Sequence, residues 1–239
     1  MSTFKFKYFS VEQAEYAHAV GTDAMVLGAL VDSSNTPEKA LDIGTGTGVL
    51  ALMIAQQFPK AKVIGLEKND LAAELAQRNF ENSPLEQKPC AIHKSLQDYA
   101  SSSMEKFELI LSNPPFFKNA TLALSEVRTM ARHQASLTIR ELLDGVEKVI
   151  APNGHFWVIL PTDQAETLIR LPSNLKLSKR IRIFGKSNKH IRDVLMLSTS
   201  KEAREIQVEH SALTIRDESG NYTDDYKELT KAFHGVQLH

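Results

Sequence analysis

Short apolar runs alternate with amphipathic stretches from about residue 39 onward. "KALDI" (39–43), "AKVIGLE" (61–67), "CAIH" (90–93), "FELILS" (107–112) and "HFWVILP" (155–161) read as buried strands, most of them ending at turn or polar residues. Between them the apolar spacing is helical. Leu50, Ile54 and Phe58 share one face of "VLALMIAQQF", and Leu71, Leu75 and Phe80 nearly do so in "LAAELAQRNF", where Asn69 or Asp70 offers an N-cap. "ASLTIRELLDGVEKVIAPNG" predicts a helix closed by Pro152 and Gly154. This alternation predicts an α/β fold with a doubly wound, mostly parallel sheet. Past residue 172 the rhythm changes. "LKLSKRIRIFG" and "HIRDVLMLS", joined by "KSNK", predict a C-terminal antiparallel hairpin that closes the sheet; "REIQVEHSALTIR" adds extended chain, and "YTDDYKELTKAFHG" a short helix. With no repeat or linker-like tract, residues 1–239 read as a single domain carrying an N-terminal extension at about 1–36.

Composition narrows the setting. The formal net charge is -1, so no global field draws the molecule to nucleic acid or membrane, although a local basic face stays open. One cysteine, Cys90, excludes a disulfide framework, and eight histidines without ligand spacing suggest no metal site. "MSTFKFKYFS" lacks a signal-peptide core, and no apolar run approaches the roughly 20 residues of a membrane span. A cytoplasmic, monomeric protein is the expectation. Aromatic and basic residues alternate from Phe4 to Tyr8, and core burial of Phe4 and Phe6 is the favoured account of them.

The first candidate chemistry lies in "LDIGTGTGVLAL", where the first strand meets its helix. Gly44, Gly46 and Gly48 let the backbone turn sharply and approach a ligand, and the helix that follows presents its positive dipole end there. Glu67 ends the second strand, 19 residues after Gly48, where a carboxylate can accept from the hydroxyls of a ribose. The spacing is G-x-G-x-G rather than the G-x-G-x-x-G of dinucleotide folds, which weighs against a nicotinamide-dependent oxidoreductase, and no phosphate-binding G-x-x-x-x-G-K-[ST] occurs.

The second candidate is Asn113-Pro114-Pro115-Phe116, delivered by the fourth strand to the same sheet edge. A residue before proline is held extended, so Asn113 and Pro114 are both restrained. The Asn113 side-chain oxygen and the Pro114 carbonyl form a pair of acceptors suited to an amine conjugated to an aromatic ring, with Phe116 stacking on that ring. Alignment and fixed dipoles would supply the catalysis, with no strong base. Adenine amines, guanine amines and glutamine amides all fit such a holder, and a binding module without turnover stays open.

Asp42 followed by the G-x-G-x-G spacing resembles the first motif of S-adenosylmethionine-dependent methyltransferases, which implies a Rossmann-like class I fold. Over nearly the whole chain, "VGTDAMVLGALV" (20–31), "ARH" (131–133) and "NYTDDYKELTKAF" (221–233) resemble the tRNA adenine-N(6)-methyltransferases that modify valine tRNA at the adenosine 3′ to the anticodon. The resemblance implies that Asp42, Gly44, Gly46, Gly48 and Glu67 contact S-adenosylmethionine, that Asn113, Pro114 and Phe116 hold the target base, and that His18 to Asp23 lie over the cofactor. Thr22 or Asp23 would also serve as a helix cap. The acidic residue such enzymes place against the cofactor adenine falls near Ser95 here, with Asp98 as the nearby carboxylate. The implied partner is tRNA. Seven Lys or Arg and no acid lie between Lys176 and Arg192, among them Lys179, Arg180, Arg182, Lys186, Lys189 and Arg192, which makes the hairpin the expected phosphate-binding surface. Arg128 and Arg132, after the tetrapeptide, are further candidates for RNA contact.

Overall fold

In the computed structural model, which describes residues 2–17, 19–31, 36–114, 137–186, 189–199 and 207–234, the chain starts with an antiparallel hairpin of β1 (Ser2–Lys5) and β2 (Ser10–Gln13), followed by α1 (Thr22–Leu30). Strands and helices then alternate: β3 (Lys39–Ile43), α2 (Val49–Gln57), β4 (Lys62–Glu67), α3 (Asp70–Glu81), β5 (Cys90–His93), α4 (Leu96–Ser102) and β6 (Phe107–Ser112). After residue 136 come α5 (Ile139–Val149), β7 (Ile150–Leu160), α6 (Thr162–Arg170), β8 (Lys176–Lys186), β9 (His190–Ser198), β10 (Glu209–Arg216) and α7 (Asp224–Thr230).

Eight strands form one sheet in the order β10-β8-β9-β7-β6-β3-β4-β5. Neighbours from β5 to β7 are parallel, β9 runs antiparallel between β7 and β8, and β10 lies parallel to β8. The closing hairpin is therefore β8–β9, but its second strand joins the parallel core and β10 forms the edge. Side chains alternate across the strands with period two and bury on both faces. Leu109 and Leu111, Trp157 and Ile159, and Ile181 and Ile183 join α1, α2 and α3 in one core. Ile110, Phe156, Val158 and Leu197 join α4, α5 and α6 in the other.

Several boundaries differ from the sequence expectation. The helix around residue 140 ends at Val149, short of Pro152, because Ile150 already pairs with Phe107 in the sheet. Asn153, at φ 62°, and Gly154 then bulge out before His155 pairs with Leu109. A Cβ on Gly154 would stand 3.0 Å from the Phe107 carbonyl oxygen, so this close approach needs glycine. Helix α1 is capped by Gly21 with no side-chain hydrogen bond, so Thr22 and Asp23 are its first residues rather than its caps. Asn69 does cap α3, its side chain accepting from the Ala72 amide. Phe6 is buried with Phe9 and Val11, while Phe4 is half-buried. The Lys7 amide donates to the Phe233 carbonyl, which joins the N-terminal hairpin to the C-terminal segment.

Helix α5 meets α4 at a glycine. A Cβ on Gly145 would fall 2.5 Å from both Cγ and Cδ2 of the buried Leu96. Gly145→Ala is therefore expected to lower the unfolding free energy by about 1–3 kcal/mol through overpacking, even though alanine gains about 1 kcal/mol of helix propensity. A lower urea midpoint checks this.

Candidate active site

The strand order reverses between β3 and β6, the place where open α/β sheets take ligands beyond their carboxyl ends. Ile43 pairs with Ser112, whose hydroxyl donates to the Ile43 carbonyl at 3.0 Å. The loops beginning at Gly44 and at Asn113 therefore leave the sheet side by side. On the other flank Ile43 pairs with Leu66, which sets Glu67 beside the glycine loop.

Three glycines shape that loop. Gly44, Gly46 and Gly48 have φ of 71°, 56° and 84°, a region that disfavours any Cβ. The amides of Gly44 and Thr45 both donate to the Leu66 carbonyl, at 2.8 and 3.0 Å. The Gly46 amide donates to Glu67 Oε2 at 3.0 Å, while Glu67 Oε1 accepts from the amides of Lys68 and Asn69. Three backbone donors thus fix a half-buried carboxylate that keeps acceptor capacity for ligand hydroxyls. Beside Gly44 there is open space where a Cβ would stand, whereas one on Gly48 would lie 2.4 Å from the Phe80 ring. The first glycine opens toward the exterior, and the last lets α2 approach α3.

Asp42 lies beneath the loop, 1% exposed, and Oδ2 accepts the Thr45 hydroxyl at 2.6 Å. Burial pushes its carboxyl up from 3.8 to about 7; the Thr45 hydrogen bond opposes that rise and the Glu67 charge adds to it. Asp42 therefore acts on the loop from below rather than from an exposed surface.

Asn113 is half-buried and Pro114 buried, and the Asn113 Oδ1 is buried without a hydrogen-bond partner among the described residues. An orphaned buried acceptor costs stability, about 1–3 kcal/mol by general experience, unless a ligand satisfies it. Asn113 lines a cleft of about 340 Å³ that continues toward β8–β10, with Gly21, Thr22 and Asp23 of the α1 start and with Gly185, Ile191, Ile215 and Arg216. Phe116, Arg128, Arg132, "ARH" and His18 lie outside the described residues.

Other sequence candidates sit in varied surroundings. Ser95 caps α4, accepting from the Asp98 amide at 3.1 Å and donating to Asp98 Oδ2 at 2.6 Å, so the two form one local unit beyond β5. In the hairpin, Arg180 bridges the fully buried Asp193 at 2.7 Å and Glu166 at 2.8 Å. Lys179 pairs with Glu209, and Arg192 with Asp23 of α1. Arg182, Lys186 and Lys189 are exposed. The basic run is thus divided between groups holding the fold together and groups facing solvent.

Sequence reasoning missed three contributors. The buried Asn79 of α3 accepts from the Glu12 amide and donates to the carbonyls of Glu12 and Thr47, which ties the N-terminal hairpin to the glycine loop. A lone Asn in a helix gives no signal of this. His93 and Asp70 pair at 3.3 Å near Glu67. Arg216 and Tyr222 form a stacked pair at the cleft, announced only by the tract "NYTDDYKELTKAF" without a role attached.

A sheet with one late strand reversed, carrying a left-handed glycine loop and a strand-end carboxylate, is the framework of class I methyltransferases. Residues 19–171 match the model of the methyltransferase small domain. The framework recurs in solved structures: the predicted O-methyltransferase Atu636 of Agrobacterium tumefaciens (TM-score 0.69, 15% identity, 88% of this chain and 96% of that one) and a methyltransferase of Pyrococcus furiosus (TM-score 0.55, 18% identity, 80% and 89%). Sequence is more specific. A tRNA1(Val) (adenine(37)-N6)-methyltransferase of Pedobacter heparinus is 35% identical over 97% of both chains, and one of Shewanella baltica is 36% identical over 97% of this chain and 98% of its own. At that identity and coverage, the chain belongs to the tRNA1(Val) (adenine(37)-N6)-methyltransferase family. Among the described residues, no helix is long and apolar enough to cross a membrane, and no cluster of three or more His, Cys, Asp or Glu is placed to hold a metal.

The raised pKa of Asp42 has a measurable sign. The folded chain holds this proton up to about pH 7, whereas the unfolded chain releases it near 3.8. Folding therefore carries the extra proton between those values, so the group's contribution to stability falls as pH rises through that window and is level above it. Urea unfolding from pH 4 to pH 8 should show the native protein losing stability relative to Asp42→Asn up to about pH 7, with a constant difference beyond.

Proposed function

We propose that this protein transfers a methyl group from S-adenosylmethionine to the exocyclic 6-amino group of an adenosine in tRNA, the one 3′ to the anticodon of valine tRNA. The observation that carries the reading is the buried, unpartnered Asn113 Oδ1 at the switch point beside the glycine loop. Full-length similarity to methyltransferases named for this reaction supports the acceptor.

The residues fit an adenosyl cofactor. Gly44 leaves open space at the strand end, and the Glu67 carboxylate, already held by three amides, is oriented to accept from ribose hydroxyls. When bound, S-adenosylmethionine supplies the methyl group as a sulfonium electrophile. The protein's part is placement. The Asn113 side-chain oxygen accepts one hydrogen of the adenine amine, and the Pro114 carbonyl is the second acceptor. Two acceptors draw the amine away from conjugation with the ring and aim its lone pair. Phe116 gives the base a stacking surface. The amino nitrogen, once it carries the methyl, is acidic enough to release its proton to water, so no side chain must act as a strong base. Preorganised dipoles and alignment supply the rate. The base reaches this holder only when splayed from the anticodon loop. Ser95 or Asp98, beyond β5, borders the adenine side of the cofactor, and the exposed Arg182, Lys186 and Lys189 extend a phosphate-attracting face along the hairpin.

The direct test is methyl transfer from labelled S-adenosylmethionine to unmodified valine tRNA, with nucleosides identified after digestion. N(6)-methyladenosine is expected; label in guanosine, or only in ribosomal RNA or protein, would overturn the acceptor. Asn113→Ala should lower turnover on the order of 100-fold with little change in cofactor affinity, measured by steady-state kinetics beside calorimetry. Glu67→Ala should instead weaken cofactor binding in the calorimeter, because it removes the ribose acceptor and frees the Gly46 amide together.

A further inference from the structure

We propose that Arg216 binds a phosphate of the RNA strand beside the target nucleotide and so anchors the RNA at the cleft that holds Asn113; this rests on the reading above. Arg216 ends β10 and lines the same cleft as Asn113. A nucleotide whose base enters at Asn113 has its sugar-phosphate in that cleft, within the field of this guanidinium.

The C-terminal segment gives the side chain a fixed seat. The guanidinium carbon lies 3.9 Å from the centroid of the Tyr222 ring, and Nη1 donates to the Gly220 carbonyl at 2.7 Å. The turn that brings Tyr222 back closes through the Gly220 amide on the Asp217 carbonyl and the Asn221 amide on Asp217 Oδ1, with Gly220 at φ 91°. Tyr222 is stacked on the buried Tyr226, with centroids 4.9 Å apart and planes at 13°, and the Thr223 hydroxyl donates to the Thr214 carbonyl. This accounts for the tract "NYTDDYKELTKAF", to which the methyl-transfer chemistry assigns no role.

Charge selects the ligand. The cleft's carboxylate, Asp23, is paired with Arg192. Arg216 makes no ion pair among the described residues, in contrast to Lys179, Arg180 and Arg192. With one face on a ring and one N–H on a carbonyl, the planar fork keeps donors for the two oxygens of a phosphodiester, a geometry arginine matches and lysine does not. Stacking removes rotamer freedom beforehand, so less is lost on binding.

The test uses the full-length protein and unmodified valine tRNA. Arg216→Met should raise KM for tRNA about tenfold, the loss of one charge-assisted contact, while turnover at saturating tRNA changes less than threefold. The log–log salt dependence of tRNA binding should become shallower by about one. Arg216→Lys should restore the salt slope but only part of the affinity. An unchanged KM and salt slope in an Arg216→Met protein that melts normally and binds S-adenosylmethionine normally would overturn the inference. Should Arg216→Met fail to fold, Tyr222→Leu, which keeps the charge and removes its seat, reads the same way: a raised KM supports the assignment and an unchanged KM overturns it. Wild-type protein that forms no N(6)-methyladenosine overturns the functional reading and this inference with it, whereas normal methylation with an indifferent Arg216 overturns the inference alone.

Discussion

The turn between β3 and α2 is the constraint on which the rest of this structure depends. Three residues with left-handed φ within five positions make a path that only glycine follows without strain. That path brings two amides onto the Leu66 carbonyl and a third onto the Glu67 carboxylate, so the end of β4 is fastened to the end of β3. Beneath it Asp42 holds the Thr45 hydroxyl, and behind it Gly48 admits the Phe80 ring. Asn79 reaches the same loop through Thr47 and then clips the N-terminal hairpin onto it. One backbone geometry thus fixes the Glu67 carboxylate, the approach of α2 to α3 and the docking of the first residues.

The site forms at a seam between chain segments far apart in sequence. The glycine loop and Glu67 come from the first half of the parallel sheet, Asn113 from the next strand over, and the cleft wall from α1 and the ends of β8–β10. The Asp23–Arg192 pair joins α1 to β9 across that wall. Because β9 is inserted between β7 and β8, the ends of β8–β10 reach the cleft beside Asn113, while β3 and β4 carry the glycine loop and Glu67.

Charge in the hairpin shows why a linear run of cations is a poor map of a binding surface. Arg180 neutralises the fully buried Asp193 and reaches Glu166, and breaking such a buried pair leaves an uncompensated charge at a cost of about 3–5 kcal/mol. Lys179 meets Glu209 across the β8–β10 ladder, a half-exposed pair worth at most about 1 kcal/mol. The acids that neutralise these residues lie elsewhere in the sequence, at 23, 166, 193 and 209, outside the acid-free run from Lys176 to Arg192.

Local signals were sufficient wherever a short-range rule governs. Short apolar runs marked β3 to β7, the spacing of Leu50, Ile54 and Phe58 marked α2, Asn69 marked a cap, and Gly44, Gly46 and Gly48 marked a backbone path that requires glycine. The position of Glu67 and Asn113 at one sheet edge was legible because strand ends of a parallel sheet share that edge. What the tertiary structure decided is long-range. The order of β8, β9 and β10, the bulge at Pro152 to Gly154, the burial of Asp42 and Asp193, the reach of Asn79 and the seating of Arg216 on Tyr222 each depend on partners that no spacing along the chain specifies. Propensity and pattern report what a segment does alone, while pairing partners, burial and the neutralisation of charge are properties of the assembled molecule.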